Sequence, residues 1–244
     1  MNIAILDFGN TRVKIKISKD IFVLTYMNNW KLKLEKIILK NKIKFIYYSS
    51  VNLLKTEELK KFFLDKEIVF FDTSTLIQEQ EKKSIINFSN VIGMGADRKF
   101  GLIAALDFSQ PPLITIDCGT AITINLLDYE HIALGGVIMP GILTQAKSLK
   151  YFTNKLPFVD IEIGDFVFGK NTQEAINTGV NATVLGGITY IYEKIKKSVF
   201  ANKKINIIFT GGYGELVMEA LDLENSQYVN DLVLLGVEKF INKI

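Results

Sequence analysis

The chain has 244 residues, with 29 Lys plus Arg against 26 Asp plus Glu, and therefore a formal net charge of +3. At 48% hydrophobic and 23% charged residues it can bury a sizeable core, which excludes a globally disordered chain. Its single cysteine excludes an internal disulfide framework and fits a reducing cytoplasm. No basic stripe interleaved with aromatics and no long uncharged apolar run occurs, so we expect no nucleic-acid partner, no membrane span and a cytoplasmic location.

A strand, a glycine turn and a second strand occur twice along the chain. The first copy spans residues 3–17 (IAILDFGNTRVKIKI) and the second spans residues 113–124 (LITIDCGTAITI). In each copy an apolar run leads into Asp-x-Gly, and apolar residues then recur at every second position, as is typical of a β-hairpin. This repeat predicts an internal duplication with halves at residues 1–110 and 111–244.

The segments around the hairpins alternate between strand and helix patterns. The first half has predicted strands at residues 44–49 and 67–71, and predicted helices at residues 55–66 and 98–108. The second half has predicted strands at residues 131–137 and 205–210, and predicted helices at residues 142–152, 171–196 and 231–243. Asn171 and Glu174 have the spacing of a capping box at the start of the long helix. Two similar halves of mixed strands and helices predict an α/β fold of two subdomains with a cleft between them.

The first turn carries residues that suit an anion. Gly9 lets backbone N–H groups approach closely, Asn10-Thr11 adds side-chain donors, and Lys14 adds a positive charge. Asp7 would hold Mg²⁺ through water, because Mg²⁺ keeps part of its hydration shell. A plain Asx-type turn explains this motif alone equally well. The second copy, at residues 117–120, favours a pair of phosphate-binding turns.

A second constellation, Gly93-Met-Gly95-Ala-Asp97-Arg98, leads directly into a predicted helix. Backbone N–H groups near Gly95 and Ala96 could therefore face an anion or a carbonyl. Asp97 taken alone could be an ordinary helix cap. Arg98 is one of only two arginines among the 29 basic residues, and a planar guanidinium suits a carboxylate better than a lysine does. The pattern predicts a substrate that bears a carboxylate.

Other features carry less chemistry. The glycine-rich segments at residues 135–141 and 210–212 fit turns or a close approach of backbone to a nucleotide. His131 lies in no cluster of metal ligands, and Cys118 has no base at a readable spacing, so neither is predicted to be catalytic. The lysine-rich residues 31–44 are predicted to form a solvated helix face rather than a nucleic-acid patch.

Six motifs in order make the chain resemble the type III pantothenate kinases of the sugar-kinase, heat-shock-ATPase and actin superfamily. They are Asp7-x-Gly-Asn-Thr-x-x-Lys14, Gly95-x-Asp-Arg98, Asp117-x-Gly-Thr-Ala-x-Thr123, Gly135-Gly-x-x-x-Pro-Gly141, Gly169-Lys-Asn-Thr172 and Thr210-Gly-Gly212. The resemblance implies duplicated actin-like (ribonuclease-H-like) domains. It also implies a homodimeric enzyme that phosphorylates pantothenate with ATP, in the first step towards coenzyme A.

The resemblance also implies a role for each half. Residues 1–110 would bind the ATP phosphates and the substrate. Residues 111–244 would supply the second phosphate motif, the nucleotide site and the dimer interface. The implied ATP-binding residues are Asp7, Phe8, Gly9, Asn10, Thr11, Arg12, Val13, Lys14 and Thr120. The implied pantothenate-binding residues are Phe88, Gly95, Ala96, Asp97 and Arg98, with Thr172 completing the pocket of the neighbouring subunit. Asp97 would be the general base, and Asp117 would bind the K⁺ or NH₄⁺ that this family requires alongside ATP and Mg²⁺.

Three positions depart from the family pattern. Phe88 stands where a pocket tyrosine is usual, Asn90-Val91 replaces a proline, and Asn125 replaces a common acidic residue near the implied cation site. Alternatives to a pantothenate kinase are a kinase of another small hydroxy acid or a sugar, a non-catalytic ATP-binding accessory or regulatory protein, and a filament former. Because both Asp97 and Arg98 are present, the sequence favours an enzyme with a carboxylate-bearing substrate.

Overall fold

The computed structural model describes residues 2–27, 29–79, 85–201 and 203–243, and it contains two five-stranded mixed sheets. The chain divides into unit 1, Met1–Ala104 with Leu232–Ile244, and unit 2, Ala105–Asp231. Each unit holds one of the sheets and has its own cluster of buried apolar side chains. None of the helices within these ranges is long and apolar enough to cross a membrane.

Unit 1 has the first predicted hairpin at the middle of its sheet. Its strands are β1 (Ile3–Phe8), β2 (Arg12–Ile17), β3 (Asp20–Thr25), β4 (Phe45–Ser50) and β5 (Val69–Asp72). Its helices are α1 (Trp30–Lys40), α2 (Leu53–Phe62), α3 (Thr73–Glu79), α4 (Ala96–Ala105) and α8 (Leu232–Ile241). The strand order is β3-β2-β1-β4-β5, antiparallel from β3 to β1 and parallel from β1 to β5. α1 buries Trp30, Leu34 and Ile38, the 3.6-residue spacing of an amphipathic helix, and its lysines lie on the other faces, as predicted.

Unit 2 repeats this arrangement around the second hairpin. Its strands are β6 (Leu113–Cys118), β7 (Ala121–Leu127), β8 (Ala133–Pro140), β9 (Asn206–Thr210) and β10 (Ser226–Tyr228). Its helices are α5 (Ile142–Phe152), α6 (Thr172–Ser198) and α7 (Gly214–Leu221). Its strand order, β8-β7-β6-β9-β10, has the same pattern of antiparallel and then parallel pairs as unit 1. The shared pattern confirms the predicted duplication of α/β domains.

The C-terminal helix α8 belongs to unit 1, because it packs against α4. The α-carbon of Gly236 lies so close to the backbone of Phe100 that a Cβ would collide with it, and Phe240 packs its ring edge-on to Phe100 at 5.6 Å. Lys239 Nζ donates to the carbonyl of Ile103 at 3.2 Å. The prediction placed the boundary between residues 110 and 111 and the final helix in the second half. In the structure the units divide between residues 104 and 105, and the final helix lies in unit 1. The sequence pattern could not place that helix, because its contacts join positions more than a hundred residues apart.

Candidate active site

The first turn joins β1 to β2. Its loop residues are polar, and buried apolar residues flank it on both strands. Asp7 pairs with Lys14 in the register of the hairpin, and the Gly9 N–H donates to the Arg12 carbonyl at 3.0 Å. The side chains of Phe8 and Val13 are fully buried in the unit 1 core, so these two residues offer a ligand only their backbone. Of the other predicted ATP-binding residues, Asn10 and Thr11 are exposed, and Asp7, Gly9, Arg12 and Lys14 are partly buried.

Two residues outside the motif hold this turn. The hydroxyl of Tyr26, just after β3, donates to the Gly9 carbonyl at 2.9 Å, and the Tyr26 N–H lies 3.5 Å from the Thr11 carbonyl. Asn52, the N-cap of α2, places its Nδ2 at 3.5 Å from the Asn10 carbonyl. The sequence analysis did not find either residue, because neither lies at a motif spacing. Tyr26 and Asn52 reach the turn only through the pairing of β2 with β3 and of β1 with β4.

The Gly95–Arg98 motif forms the start of α4, as predicted. The Lys99 N–H donates to the Gly95 carbonyl at 3.1 Å, and the Asp97 carboxylate folds back over Gly95 so closely that a Cβ there would collide with it. Burial raises the pKa of Asp97, while the backbone N–H and the charge of Arg98 lower it. A carboxyl with a raised pKa beside an arginine is the kind of group that can accept a proton near neutral pH.

Phe88 does not present its ring on the surface. It is 1% exposed, and the Lys99 ammonium lies over its ring at 5.1 Å from the centroid. Lys99 is itself only 8% exposed and also follows Arg98 directly in α4. Phe88 therefore supports the helix that carries Asp97 and Arg98, and its predicted contact with pantothenate stays a prediction.

The second turn, between β6 and β7, is held by the start of α5. The Gly119 N–H donates to the carbonyl of Ala121, two residues on, at 3.1 Å, whereas the Gly9 N–H of the first turn donates three residues on. The carbonyl of Thr120 accepts from the Gly141 N–H at 2.9 Å and from Thr144 Oγ1 at 2.6 Å. Gly141 packs directly on the turn, where a Cβ would collide with the carbonyls of Gly119 and Thr120. Gly141, the last glycine of the 135–141 motif, is therefore required by the close approach of two backbones.

Asp117 lies at the end of β6, where its carboxylate reaches the α-carbon of Gly211. Gly211 has a φ of +89°, and a Cβ there would collide with this carboxylate and with the Cys118 backbone. Burial and the neighbouring Asp117 raise the pKa of the Cys118 thiol to about 12, so the thiol stays protonated and is no nucleophile at neutral pH. Asn125 is buried and donates from its Nδ2 to Thr115 Oγ1 at 3.2 Å.

Thr172 lies exposed at the first position of α6, in unit 2. The predicted N-cap forms, since the Glu174 N–H donates to Asn171 Oδ1 at 3.0 Å. The Glu174 side chain accepts from the N–H of Lys170 at 2.7 Å, one residue before the N-cap. A pocket of about 420 Å³ lies beside this helix start. Its lining combines two phenylalanines with acidic and amide side chains, Val159, Asp160, Glu162, Phe166, Phe168, Gln173, Glu174, Asn177 and Thr178.

The acidic side chains of the described ranges form no metal-binding cluster. No three His, Cys, Asp or Glu side chains there come close enough together to hold a metal ion between them. Each turn instead offers one aspartate, Asp7 in unit 1 and Asp117 in unit 2. One carboxylate suits Mg²⁺ that arrives with ATP, because Mg²⁺ keeps several waters and takes its remaining ligands from phosphate.

Comparison with known proteins gives both a family and a fold. A model of the family described as type III pantothenate kinase matches residues 3–194. The type III pantothenate kinase of Thermosipho africanus is 34% identical over 250 residues, covering 98% of each chain. That of Legionella pneumophila strain Corby is 37% identical over 155 residues, covering 62% of this chain and 59% of the relative.

Two solved structures share the fold. A Campylobacter jejuni protein described as a Baf-family transcriptional activator superposes with a TM-score of 0.62 at 22% identity, covering 98% of each chain. A Sinorhizobium meliloti protein described as a 2-dehydro-3-deoxygalactonokinase superposes with a TM-score of 0.59 at 11% identity, covering 99% of this chain and 96% of the other. At such identities the likeness concerns the actin-like fold alone. The match through residues 3–194 and the full-length likeness to the Thermosipho protein decide the family, and the chain belongs to the type III pantothenate kinases.

Proposed function

We propose that this protein transfers the terminal phosphoryl group of ATP to pantothenate, giving 4′-phosphopantothenate in the first step of coenzyme A biosynthesis. The observation that carries the proposal is the 34% identity along 98% of both chains to a relative named type III pantothenate kinase. The family match also includes the two turns, the Gly95–Arg98 motif and Thr172. The proposed location is the cytoplasm, which suits a chain whose one cysteine is a buried free thiol.

In this proposal the first turn binds the phosphates of ATP. Asn10 and Thr11 are exposed at the loop, and Lys14 pairs with Asp7 in the hairpin register behind it. Thr120 is the proposed contact from unit 2. Phosphoryl transfer proceeds through a loose transition state, so positioning and charge neutralisation supply most of the catalysis. Mg²⁺ bound with ATP would neutralise phosphate charge, and Asp7 is the carboxylate proposed to hold it through water.

The proposed chemistry on the acceptor belongs to Asp97 and Arg98. Asp97 accepts the proton of the pantothenate hydroxyl as that oxygen attacks the phosphoryl group, and the raised pKa of its carboxyl suits this step. Arg98 binds the pantothenate carboxylate through its guanidinium, and Gly95 and Ala96 contribute backbone at the start of α4. Asp117 is the proposed ligand for K⁺ or NH₄⁺.

The proposal includes a homodimer that completes each site with Thr172 of the neighbouring subunit. Support comes from large exposed apolar side chains on unit 2 near Thr172 in the sequence, with Tyr151 and Phe152 about four-fifths exposed and Phe168 72% exposed. Large exposed aromatic side chains are typical of protein interfaces.

The function is tested by ADP release from purified protein with ATP, Mg²⁺ and K⁺, with and without pantothenate. We expect release that depends on pantothenate and falls when Na⁺ replaces K⁺. Release that depends on pantothenate but is indifferent to K⁺ would keep the kinase and remove the cation assignment to Asp117. Without any pantothenate-dependent release, a kinase of another hydroxy acid or a non-catalytic ATP-binding regulator takes its place.

The shared site is tested by mixing two impaired variants, Thr172→Val, which should weaken pantothenate binding, and Asp97→Asn, which should lower turnover, and allowing subunits to exchange. If each site takes Thr172 from its neighbour, a mixed dimer has one site with both substitutions and one with neither, so activity returns. The matched controls take each variant alone through the same exchange procedure. Mixed dimers, verified by mass, that are no more active than the two parent variants would contradict a shared site.

A further inference from the structure

The backbone carbonyls of the first turn contact donors from two neighbouring parts of unit 1. Its three successive carbonyls, at Gly9, Asn10 and Thr11, all face donors of the protein: the Tyr26 hydroxyl, Asn52 Nδ2 and the Tyr26 N–H. In a planar trans peptide the N–H points opposite to the carbonyl of the same unit. The N–H groups of Asn10, Thr11 and Arg12 are therefore directed away from those donors.

Tyr26 supplies two of the three contacts, and the shortest is the one from its side chain, at 2.9 Å. Its ring is held independently of the turn, because it packs edge-on to Trp30 at 5.2 Å and has the Lys55 ammonium 5.9 Å from its centroid. Trp30 is 5% exposed and anchors the start of α1. The hydroxyl is thus a fixed donor, aimed at Gly9 by the packing of β3 and α1 rather than by the turn itself.

We propose that Tyr26 is a positioning residue for phosphate binding, which fixes the Gly9–Asn10 peptide so that the N–H groups of the turn face the anion. This inference rests on the proposed function, since it takes the first turn as the site of the ATP phosphates. Tyr26 acts through Gly9 and need not touch the nucleotide. Burial and the nearby Asp7 carboxylate raise the pKa of the Tyr26 hydroxyl, which keeps its proton available for donation at any physiological pH.

The test is Tyr26→Phe, which removes the hydroxyl and keeps the ring on Trp30. We expect the dissociation constant for ATP·Mg²⁺, measured by calorimetry without pantothenate, to rise roughly threefold to tenfold, the range for one lost hydrogen bond. The kcat at saturating ATP and the KM for pantothenate should stay within about twofold of wild type, which a general loss of structure would not allow. In ¹⁵N spectra the Asn10 amide, whose peptide carbonyl is that of Gly9, should shift.

The matched control is Tyr47→Phe, on β4 of the same sheet, where the ring stacks on Phe71 at 4.8 Å. It should leave both the ATP affinity and the Asn10 amide unchanged. An unchanged ATP affinity in Tyr26→Phe, an unmoved Asn10 amide, or an equal rise in the KM for pantothenate would overturn the positioning role. ATP binding is measured without turnover, so the two proposals can fail separately. A wild-type protein that binds ATP but does not phosphorylate pantothenate would contradict the proposed function, and the ATP affinities of wild type and Tyr26→Phe would still test the role of Tyr26.

Discussion

The two turns of this molecule share Asp-x-Gly and the same place in equivalent sheets, but the second is one residue shorter and different groups hold them. In unit 1 the carbonyl of Gly9 accepts from a tyrosine side chain. In unit 2 the carbonyl of Thr120 accepts from the Gly141 N–H and the Thr144 hydroxyl at the start of α5. The two halves therefore share the hairpin and its Asp-x-Gly, while each half has its own support from a neighbouring element.

The difference also shows which glycines matter for packing. A Cβ on Gly9 would lie 3.2 Å from the Arg12 carbonyl, and one on Gly119 would lie 3.4 Å from the Asp117 carboxylate, so both are tight but close to tolerable. A Cβ on Gly141 or Gly211 would collide with the backbone of the second turn. The glycines that the second turn depends on most are thus those of the elements packed against it.

The largest expected effect is on kcat, and it distinguishes catalysis by Asp97 of α4 from ATP binding by the turns. Asp97→Asn should lower kcat by about 10²–10⁴-fold, the usual contribution of a general base, and leave ATP affinity nearly intact. In the wild type, kcat/KM for pantothenate should fall as pH decreases through the pKa of Asp97, which burial raises above the ordinary aspartate value, because the protonated carboxyl cannot accept a proton. Measurement of kcat, ATP affinity and the pH profile checks both points. A variant with wild-type kcat would remove Asp97 as the base.

The same substitution at equivalent positions tests whether the two turns bind different cations. Asp7→Asn should raise the Mg²⁺ concentration for half-maximal activity by roughly tenfold, the loss expected for one contact to a charged group. Asp117→Asn should instead raise the K⁺ requirement and leave the Mg²⁺ requirement near wild type. Titration of each ion at saturation of the other gives the comparison. If both variants shift the same ion, the division of labour between the turns is wrong.

A smaller effect, on the free energy of unfolding, tests the difference in packing between the two turns. Gly141→Ala should lower the free energy of unfolding by about 1–3 kcal/mol, the usual cost of forcing extra atoms into a packed site, because its Cβ meets backbone that cannot rotate away. Gly9→Ala should cost less, about 0.5–1 kcal/mol, since only one carbonyl must move by a few tenths of an ångström. Denaturant unfolding of both variants measures the difference. Equal losses would mean that the second turn relaxes as easily as the first.

Much of the fold followed from local sequence. The two hairpins, α5 at Ile142–Phe152 and the N-cap of α6 at Asn171 all occur where the sequence predicts them. Each depends on neighbours in the chain: apolar alternation, a glycine turn, or a polar cap three residues before its partner. The prediction missed β3, α3 and β10. β3 is an edge strand with no fully buried residue, and β10 has only three residues, so neither carries a strong pattern.

The sequence by itself determined the duplication, the order of the motifs and the family, because each can be recognised from short contiguous segments. Only the tertiary structure decided that α8 packs on α4, that Tyr26 holds the first turn, and that Phe88 is buried beneath Lys99. These contacts join residues that are distant in the chain, and they depend on which strands pair and on how closely two backbones approach. Local propensity carries no information about such distances, so only the assembled sheets and helices could fix them.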